Sequence, residues 1–192
     1  ALSSRVVHEY GDPSGYGPVV EAIAAKLRVE NGIDVARGSE VMVTAGANMA
    51  FMHAILATTA PGDEVILFEP CYDSYVPVIR LSGGTPVFVS LRYPDFRVDW
   101  AEVRRAITPR TRAILVNTPH NPTGRVFDAQ ELRGVAELVA RHNLVLITDE
   151  IYEHLLYDGA TAPSMPAFVA IQYSGAVSAV RSAATPVAAS SV

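Results

Sequence analysis

Between residues 40 and 150 the chain alternates short apolar runs with segments of helical spacing, and this alternation most constrains its fold. Predicted strands lie at EVMVTAG, DEVILFEP, TPVFVSL, RAILVNTP and LVLITDE, and predicted helices between them lie at NMAFMHAILATTA, YDSYVPVIRLSG, DWAEVRRAIT and DAQELRGVAELVARHN. Strands that are continuous apolar runs are buried on both faces, and their alternation with helices is typical of a parallel sheet. The sequence therefore predicts an α/β fold, a mostly parallel sheet with helices on both faces.

Helix starts are the best-defined boundaries in this pattern. Two of the helical segments open with Asp-x-x-Glu, at Asp99 with Glu102 and at Asp128 with Glu131. Each pair supplies an N-cap and a carboxylate at the third helical position. A further helix is predicted upstream, in GPVVEAIAAKLRVENG, where a proline opens the first turn and a glycine follows the end.

Charge and cysteine content exclude several classes of function. The net charge is −5 with a pI near 5.5 and no basic stripe, which argues against a nucleic-acid partner. Cys71 is the single cysteine, so an internal disulfide and a cysteine-cluster metal site are excluded, and a reducing compartment is indicated. No signal-peptide pattern opens the chain, and no apolar run approaches the roughly 18 residues of a membrane helix. We therefore expect a cytoplasmic protein with neither a membrane partner nor a bound metal.

Polar and aromatic residues follow the predicted strands, where an α/β sheet places its ligands. They are Gly46 to Asn48, Pro70 to Tyr72, Asn117 to Gly124 and Asp149 to Tyr152. A helix that starts directly after a glycine offers free N–H groups to a phosphate, although the same glycine also suits a plain tight turn. The prolines and glycine of NTPHNPTG fix a rigid turn that aims Asn121, or they hold an asparagine that bonds its own backbone.

Asp149 poses the sharpest question, because a carboxylate after LVLIT is costly to bury without a partner. One interpretation is an aspartate that caps the edge of the sheet. The other is an acid that keeps the ring nitrogen of an electron-accepting cofactor protonated.

Four stretches in order, TAGANMAF, PGDEVILFEPCYDSY, TRAILVNTPHNPTG and LVLITDEIYEHLLYDG, resemble the class I/II aminotransferases. These are pyridoxal 5'-phosphate (PLP) enzymes of fold type I, related to aspartate and kynurenine aminotransferases, and the resemblance covers about residues 5–160. It implies that residues 1–164 are an incomplete large domain that binds PLP. It also implies an amino acid and a 2-oxo acid as substrates, with transfer of the amino group between them.

The resemblance assigns four residues to the cofactor ring. Tyr72 would stack on the pyridine ring, and Asn121 and Tyr152 would hydrogen-bond its hydroxyl. Asp149 would pair with the protonated ring nitrogen, so that the ring can accept electrons when a substrate loses its α-proton.

The resemblance also assigns residues to the cofactor phosphate. Gly46, Ala47 and Asn48 would cradle it at the start of a helix. Tyr10 matches the tyrosine that this family sends across a dimer interface to the phosphate of the neighbouring subunit. The implied assembly is a homodimer with shared sites.

One residue that the resemblance requires is missing from its place. The family's Schiff-base lysine should lie about 35 residues after the aspartate, where this chain has AVRSAATP, with Arg181 and no lysine. Arginine stays protonated and is a poor nucleophile, so it is no substitute. The chain's single lysine, Lys26, is predicted to be a solvated surface residue of the first helix. No catalytic residue is assigned, and we expect this chain to be inactive in transamination on its own.

The amino-acid composition changes after Ser164, and residues 165–192 form an atypical tail rich in Ala, Val and Ser. Three hypotheses remain open. The chain is a truncated or frame-shifted aminotransferase, or a descendant that binds PLP without catalysis. The third hypothesis is an unrelated α/β domain that binds a different phosphate ligand.

Overall fold

A computed structural model describes residues 10–35 and 40–165, and the backbone of residues 177–181. The described elements, in chain order, are α1 (Gly17–Glu30), α2 (Ala47–Thr58), β1 (Glu64–Glu69), α3 (Tyr75–Leu81), β2 (Thr85–Ser90), α4 (Trp100–Ala106), β3 (Thr111–Asn117), α5 (Ala129–His142), β4 (Val145–Asp149) and β5 (Val177–Arg181).

The strands form one sheet in the order β2-β1-β3-β4-β5. The β1–β2, β1–β3 and β3–β4 pairs are parallel, and β5 pairs with β4 in the antiparallel direction. The predicted mostly parallel α/β fold is confirmed. Since β2 and β3 flank β1 on opposite sides, the order reverses between β1 and β3, and their carboxyl ends bound a switch-point crevice.

Helices cover both faces of the sheet. Neighbouring residues of each buried strand point to opposite faces, and each face needs its own cover. Ile66 of β1 lies in a core with residues of α4 and α5, whereas the next residue, Leu67, lies in a second core with residues of α2 and α3. Along α5 the residues that face the first core recur at helical spacing and are Leu132, Val135, Leu138 and Val139. Burying each of these side chains is worth about 1.5–3 kcal/mol, which fixes α5 on the sheet.

Both predicted helix caps are formed. The Asp99 carboxylate accepts hydrogen bonds from the backbone N–H groups of Ala101 at 2.9 Å and Glu102 at 3.1 Å. Asp128 and Glu131 form a reciprocal capping box at the start of α5. Local sequence therefore sets where these two helices begin.

The strand predicted over residues 40–46 is not formed. Val41 occupies a single bridge position, and the Val43 N–H donates to the carbonyl of Ser14 at 2.8 Å. A strand needs a neighbour along its length, and within the described residues this segment has none beyond that bridge. The helix predicted around Pro77 does form as α3, because its first turn tolerates proline.

The predicted boundary between residues 164 and 165 stays a prediction, since most of the tail lies outside the described residues. Met165 is fully buried in the core beneath α5, so the packed part of the chain reaches at least that far. In the described part of the chain, no helix has the length and apolar character needed to cross a membrane.

Candidate active site

Asp149 ends β4 at the carboxyl edge of the sheet and is 6% exposed. Its Oδ2 accepts a hydrogen bond from the Tyr75 hydroxyl at 2.7 Å, and its Oδ1 accepts one from the Ile151 N–H at 3.2 Å. Burial raises the pKa of Asp149, and these two hydrogen bonds oppose that rise. The acid is thus buried, held at both oxygens and costly to keep charged.

Tyr75 begins α3 and is 3% exposed. Its ring lies 4.9 Å from that of Phe51 and 5.6 Å from that of Tyr72, measured between centroids. Burial and then the neighbouring Asp149 raise the pKa of Tyr75 far above its ordinary value. The hydroxyl therefore stays protonated and acts as a donor.

Asn117, the last residue of β3, joins the turn after β3 to the end of β4. Its Nδ2 donates to the carbonyl of Asp149 at 2.9 Å, and its Oδ1 accepts from the N–H of Asn121 at 2.7 Å. The predicted rigid turn around Asn121 is thus held by a side chain four residues earlier. Asn121 itself is half-buried beside this joint.

The turn that carries Asn121 is stiffened further by His120. Its Nδ1 lies 2.8 Å from the Thr123 hydroxyl, and its backbone bonds Gly124 and Arg125. Burial, and next the charge of Arg125, lower the pKa of His120 to about 4. The imidazole is therefore neutral at physiological pH and has a structural role.

The start of α2 lies near the same edge. Gly46 is the N-cap with φ of +90°, a conformation that favours glycine, and the first helical N–H groups have no acceptor within the helix. The Asn48 Nδ2 lies 3.5 Å from the hydroxyl of Tyr72, which follows β1. Ala47 lies between these two residues as the first residue of the helix.

The structure brings most of the predicted site residues together through this set of contacts. Asn48 contacts Tyr72, Tyr72 packs on Tyr75, and Tyr75 bonds Asp149. Tyr152 lies in the turn after β4 and is near enough to contribute to the raised pKa of Tyr75.

Tyr10 and Lys26 lie apart from these contacts. Tyr10 is fully exposed, at 109% of the reference area, at the start of the described residues. Lys26 is not the solvated lysine that was predicted. It is half-buried, its Nζ donates to Asn31 Oδ1 at 2.7 Å, and it forms an ion pair with Glu153.

Three residues of this site were given no role by the sequence, although Asn117 and Glu150 lie in the stretches selected at the strand ends. Tyr75 and Asn117 hold Asp149 from two other elements. Glu150 accepts hydrogen bonds from the Ser164 hydroxyl and the Met165 N–H, both at 2.7 Å, and burial raises its pKa. The second tyrosine of YDSY and the polar end of RAILVN were the available signals, but neither indicates its partner.

This arrangement suits a flat aromatic ligand that carries both a cation and an anion. Asp149 offers a carboxylate, Tyr72 a ring, and the start of α2 a set of N–H donors for an anion. Within the described residues, no group of three or more His, Cys, Asp or Glu side chains could hold a metal ion.

The family model for aminotransferase class I and II matches residues 1–185. Among curated proteins, the probable N-succinyldiaminopimelate aminotransferase DapC of Mycobacterium tuberculosis is 48% identical over 157 residues, which are 80% of this chain and 39% of that protein. The aspartate/prephenate aminotransferase of Thermus thermophilus is 45% identical over 152 residues, 79% of this chain and 39% of that protein.

Solved structures similar to this chain are also aminotransferases. The N-succinyldiaminopimelate aminotransferase of Mycobacterium tuberculosis superposes with a TM-score of 0.82 at 46% identity, covering 84% of this chain and 43% of that one. The Escherichia coli protein YbdL, described as having a methionine aminotransferase function, gives a TM-score of 0.81 at 38% identity, covering 87% and 46%. This chain spans about two fifths of the length of the first of these relatives. It belongs to the class I and II aminotransferases.

Proposed function

We propose that this chain binds PLP and is the cofactor-holding part of an enzyme that moves an amino group between an amino acid and a 2-oxo acid. The family uses this cofactor, and the chain covers 39% of its curated relatives, so the reaction is proposed for the protein as a whole. In this proposal residues 1–164 bind the cofactor, and the tail, residues 165–192, does not take part in binding it.

One observation carries the proposal, namely that Asp149 is buried without a cationic partner among the described residues. Two other carboxylates are buried in the described part of the chain, and each lies against an arginine: Glu64 against Arg110, and Glu131 against Arg125. No described lysine or arginine forms an ion pair with Asp149, which instead has a tyrosine and a backbone N–H. A ligand that brings its own positive charge would complete this site.

The ring of PLP fits this donor set. A protonated ring nitrogen would supply the charge that Asp149 lacks, and the half-buried ring of Tyr72 offers a stacking surface. Asn121 and Tyr152 have the donors that the ring hydroxyl requires. When bound, PLP supplies a ring that accepts electrons from the α-carbon of an amino acid, and Asp149 keeps the proton on the ring nitrogen.

The phosphate of PLP fits the start of α2. Ala47 and Asn48 offer backbone N–H groups at the positive end of a helix dipole, and Gly46, whose own N–H donates to the carbonyl of Thr44 at 2.8 Å, forms the turn that leads into them. Asn48 also contacts Tyr72, so the phosphate and ring positions are coupled.

Tyr10 extends the proposal to a homodimer. Its side chain is fully exposed in the single chain and lies apart from the other site residues. We propose that it reaches the phosphate in a second copy. In a Tyr10→Phe variant the PLP affinity should be weaker than in the wild type. Its dependence on protein concentration should be unchanged, and both results together would support this role.

A second candidate, binding of PLP without catalysis, is favoured by the absence of a lysine from residues 179–186. For this polypeptide we expect PLP binding and no transamination. Lys26 does not change this expectation, because it is held in an ion pair with Glu153.

The test is calorimetric titration of the purified chain with PLP, with adenosine monophosphate as the phosphate-ligand control. Saturable PLP binding that is lost in Asp149→Ala but kept in the exposed Arg97→Ala variant supports the proposal. Binding of the nucleotide with no PLP response would instead favour an unrelated phosphate-binding domain. Amino-acid-dependent formation of pyridoxamine 5'-phosphate would show that the chain is an active transaminase and contradict the second candidate.

A further inference from the structure

Tyr75 has no role in the proposed function, yet its side chain contacts two of the residues assigned to the cofactor ring. Its hydroxyl donates to Asp149 Oδ2 at 2.7 Å, and its ring packs edge-on against Tyr72, with an interplanar angle of 79°. The ring of Phe51, on α2, supports it on another side. Tyr75 thus links α2, α3, the segment after β1 and the end of β4.

The two hydrogen bonds to Asp149 constrain its carboxylate differently. The Ile151 N–H belongs to the same turn and moves with Asp149, whereas the Tyr75 hydroxyl comes from α3, 74 residues away in sequence. Only the second bond fixes the carboxylate relative to another element. A carboxylate has about four lone-pair sites, so two donors leave capacity for a ring N–H.

The charge of Asp149 also depends on this contact. Burial raises the pKa of Asp149, and the Tyr75 hydrogen bond is the larger of the two effects that oppose the rise. The other titratable groups close to the Tyr75 hydroxyl are Cys71, after β1, and Tyr152, in the turn after β4. Asn117, on β3, contacts the backbone of Asp149 and is neutral. None of these neighbours supplies a positive charge at physiological pH, so a neutral hydroxyl stabilises the acid.

We propose that Tyr75 is a positioning residue, whose hydroxyl keeps the Asp149 carboxylate charged and fixed in direction for a protonated ring nitrogen, and whose ring orients Tyr72. This inference rests on the proposed function. Tyr75 acts through Asp149 and Tyr72 and does not itself contact the ligand.

The first test measures Asp149 in the chain without ligand. Carbon-13 NMR of the aspartate carboxyls gives the ionisation constant of Asp149, which we expect to fall about tenfold in Tyr75→Phe, since one hydrogen bond to a charged group is lost. The matched control is Tyr157→Phe, an exposed tyrosine whose loss should leave Asp149 unchanged. An unchanged ionisation constant in Tyr75→Phe would overturn the inference.

A second variant keeps the test valid if Tyr75→Phe folds poorly. Incorporation of 3-fluorotyrosine at position 75 retains the ring and makes the hydroxyl a stronger donor. The ionisation constant of Asp149 should then rise, opposite to the phenylalanine variant. A fall or no change would contradict the proposed role.

The third test uses PLP as the ligand across a range of pH. In Tyr75→Phe we expect the affinity to fall about fivefold at the ionisation midpoint of Asp149 and about tenfold below it, and the fall to be smaller at higher pH. In an Asp149→Asn background the Tyr75→Phe change should have little further effect, and an undiminished effect there would overturn the inference. If the wild-type chain fails to bind PLP, the proposed function fails, while the NMR titration still decides whether Tyr75 controls Asp149.

Discussion

The two ends of the sheet each bury a carboxylate, but they stabilise it in opposite ways. At the amino end, Glu64 accepts hydrogen bonds from the Thr108 hydroxyl at 2.5 Å and from Arg110 at 2.6 and 3.0 Å. The Thr108 bond, followed by the contacts with Arg110, lowers the pKa of Glu64 despite its burial. At the carboxyl end, no arginine in the described part of the chain pairs with Asp149, and burial raises its pKa.

This difference separates a structural acid from a candidate functional one. An acid that is fully paired within the chain contributes to stability and has no need of a ligand. An acid that is buried without a cation reduces stability in the free chain, and the cost is recovered only when a cation binds. Four substitutions test this distinction, taken from the largest expected effect to the smallest.

Removal of the arginine from a largely buried structural pair should have the largest effect. Arg125 Nη2 lies 2.6 Å from both carboxylate oxygens of Glu131, and the two side chains are 12% and 7% exposed. Arg125→Ala leaves Glu131 buried and unpaired, which should lower the free energy of unfolding by about 3–5 kcal/mol. Urea denaturation at pH 7 measures this loss. The control, Arg97→Ala, removes an exposed arginine and should change stability by less than about 0.5 kcal/mol, so equal losses would contradict the expectation.

Neutralising Glu64 should have a moderate effect, because Arg110 is 71% exposed and water screens the pair. We expect Glu64→Gln to lower the free energy of unfolding by about 1 kcal/mol at pH 7. The folded state lowers the pKa of Glu64, so its stabilising effect is complete above the ordinary value of 4.5 and is lost as the pH falls through the folded value. The difference between wild type and variant should therefore vanish in acid, and a difference that persists there would contradict the assignment.

Neutralising Asp149 should have the opposite sign. Asp149→Asn removes an uncompensated buried charge, so the free energy of unfolding without ligand should rise by about 1 kcal/mol at pH 7. The folded state raises the pKa of Asp149, so the penalty is present above the folded value and disappears as the pH falls towards the ordinary value of 3.8. The same variant should lose at least about tenfold in PLP affinity. A loss of stability on substitution would place Asp149 with Glu64 as a structural acid.

The neighbouring acid, Glu150, should give the smallest effect. It accepts hydrogen bonds from Ser164 and Met165. The glutamine oxygen can accept from the Met165 N–H while its amide N–H donates to the Ser164 hydroxyl, so Glu150→Gln should change stability by less than about 1 kcal/mol and leave PLP affinity unchanged. A large loss of affinity would show that burial of negative charge at this edge, and not the geometry of Asp149, is what binding requires.

Much of the fold was predictable because its signals are local. Helix caps at Asp99 and Asp128 depend on donors two or three residues away, and both are formed as predicted. The apolar runs of β1, β3 and β4 are buried as nearly continuous runs because helices cover both faces, whereas β2, at the edge of the described sheet, is mostly exposed or half-buried. The strand expected over residues 40–46 was wrong because a strand depends on its neighbour, which its own residues do not encode.

The sequence predicted which residues belong to the candidate site better than it predicted the contacts between them. Strand ends and the family resemblance selected Tyr72, Asn121 and Asp149. In the structure Tyr75 contacts both Tyr72 and Asp149. Asn117 likewise contacts both Asn121 and Asp149. The roles of Tyr75 and Asn117 depend on contacts across 74 and 32 residues of sequence.

By itself, the sequence determined the alternation of strands and helices, the helix starts and the set of side chains at one edge of the sheet. These features depend on periodicity and on hydrogen bonds within a few residues. Only the tertiary structure decided which buried acid receives an arginine and which receives a tyrosine. That choice follows from the crossovers that place α3 against the end of β4 and Arg110 against the start of β1, and no local pattern specifies such a contact.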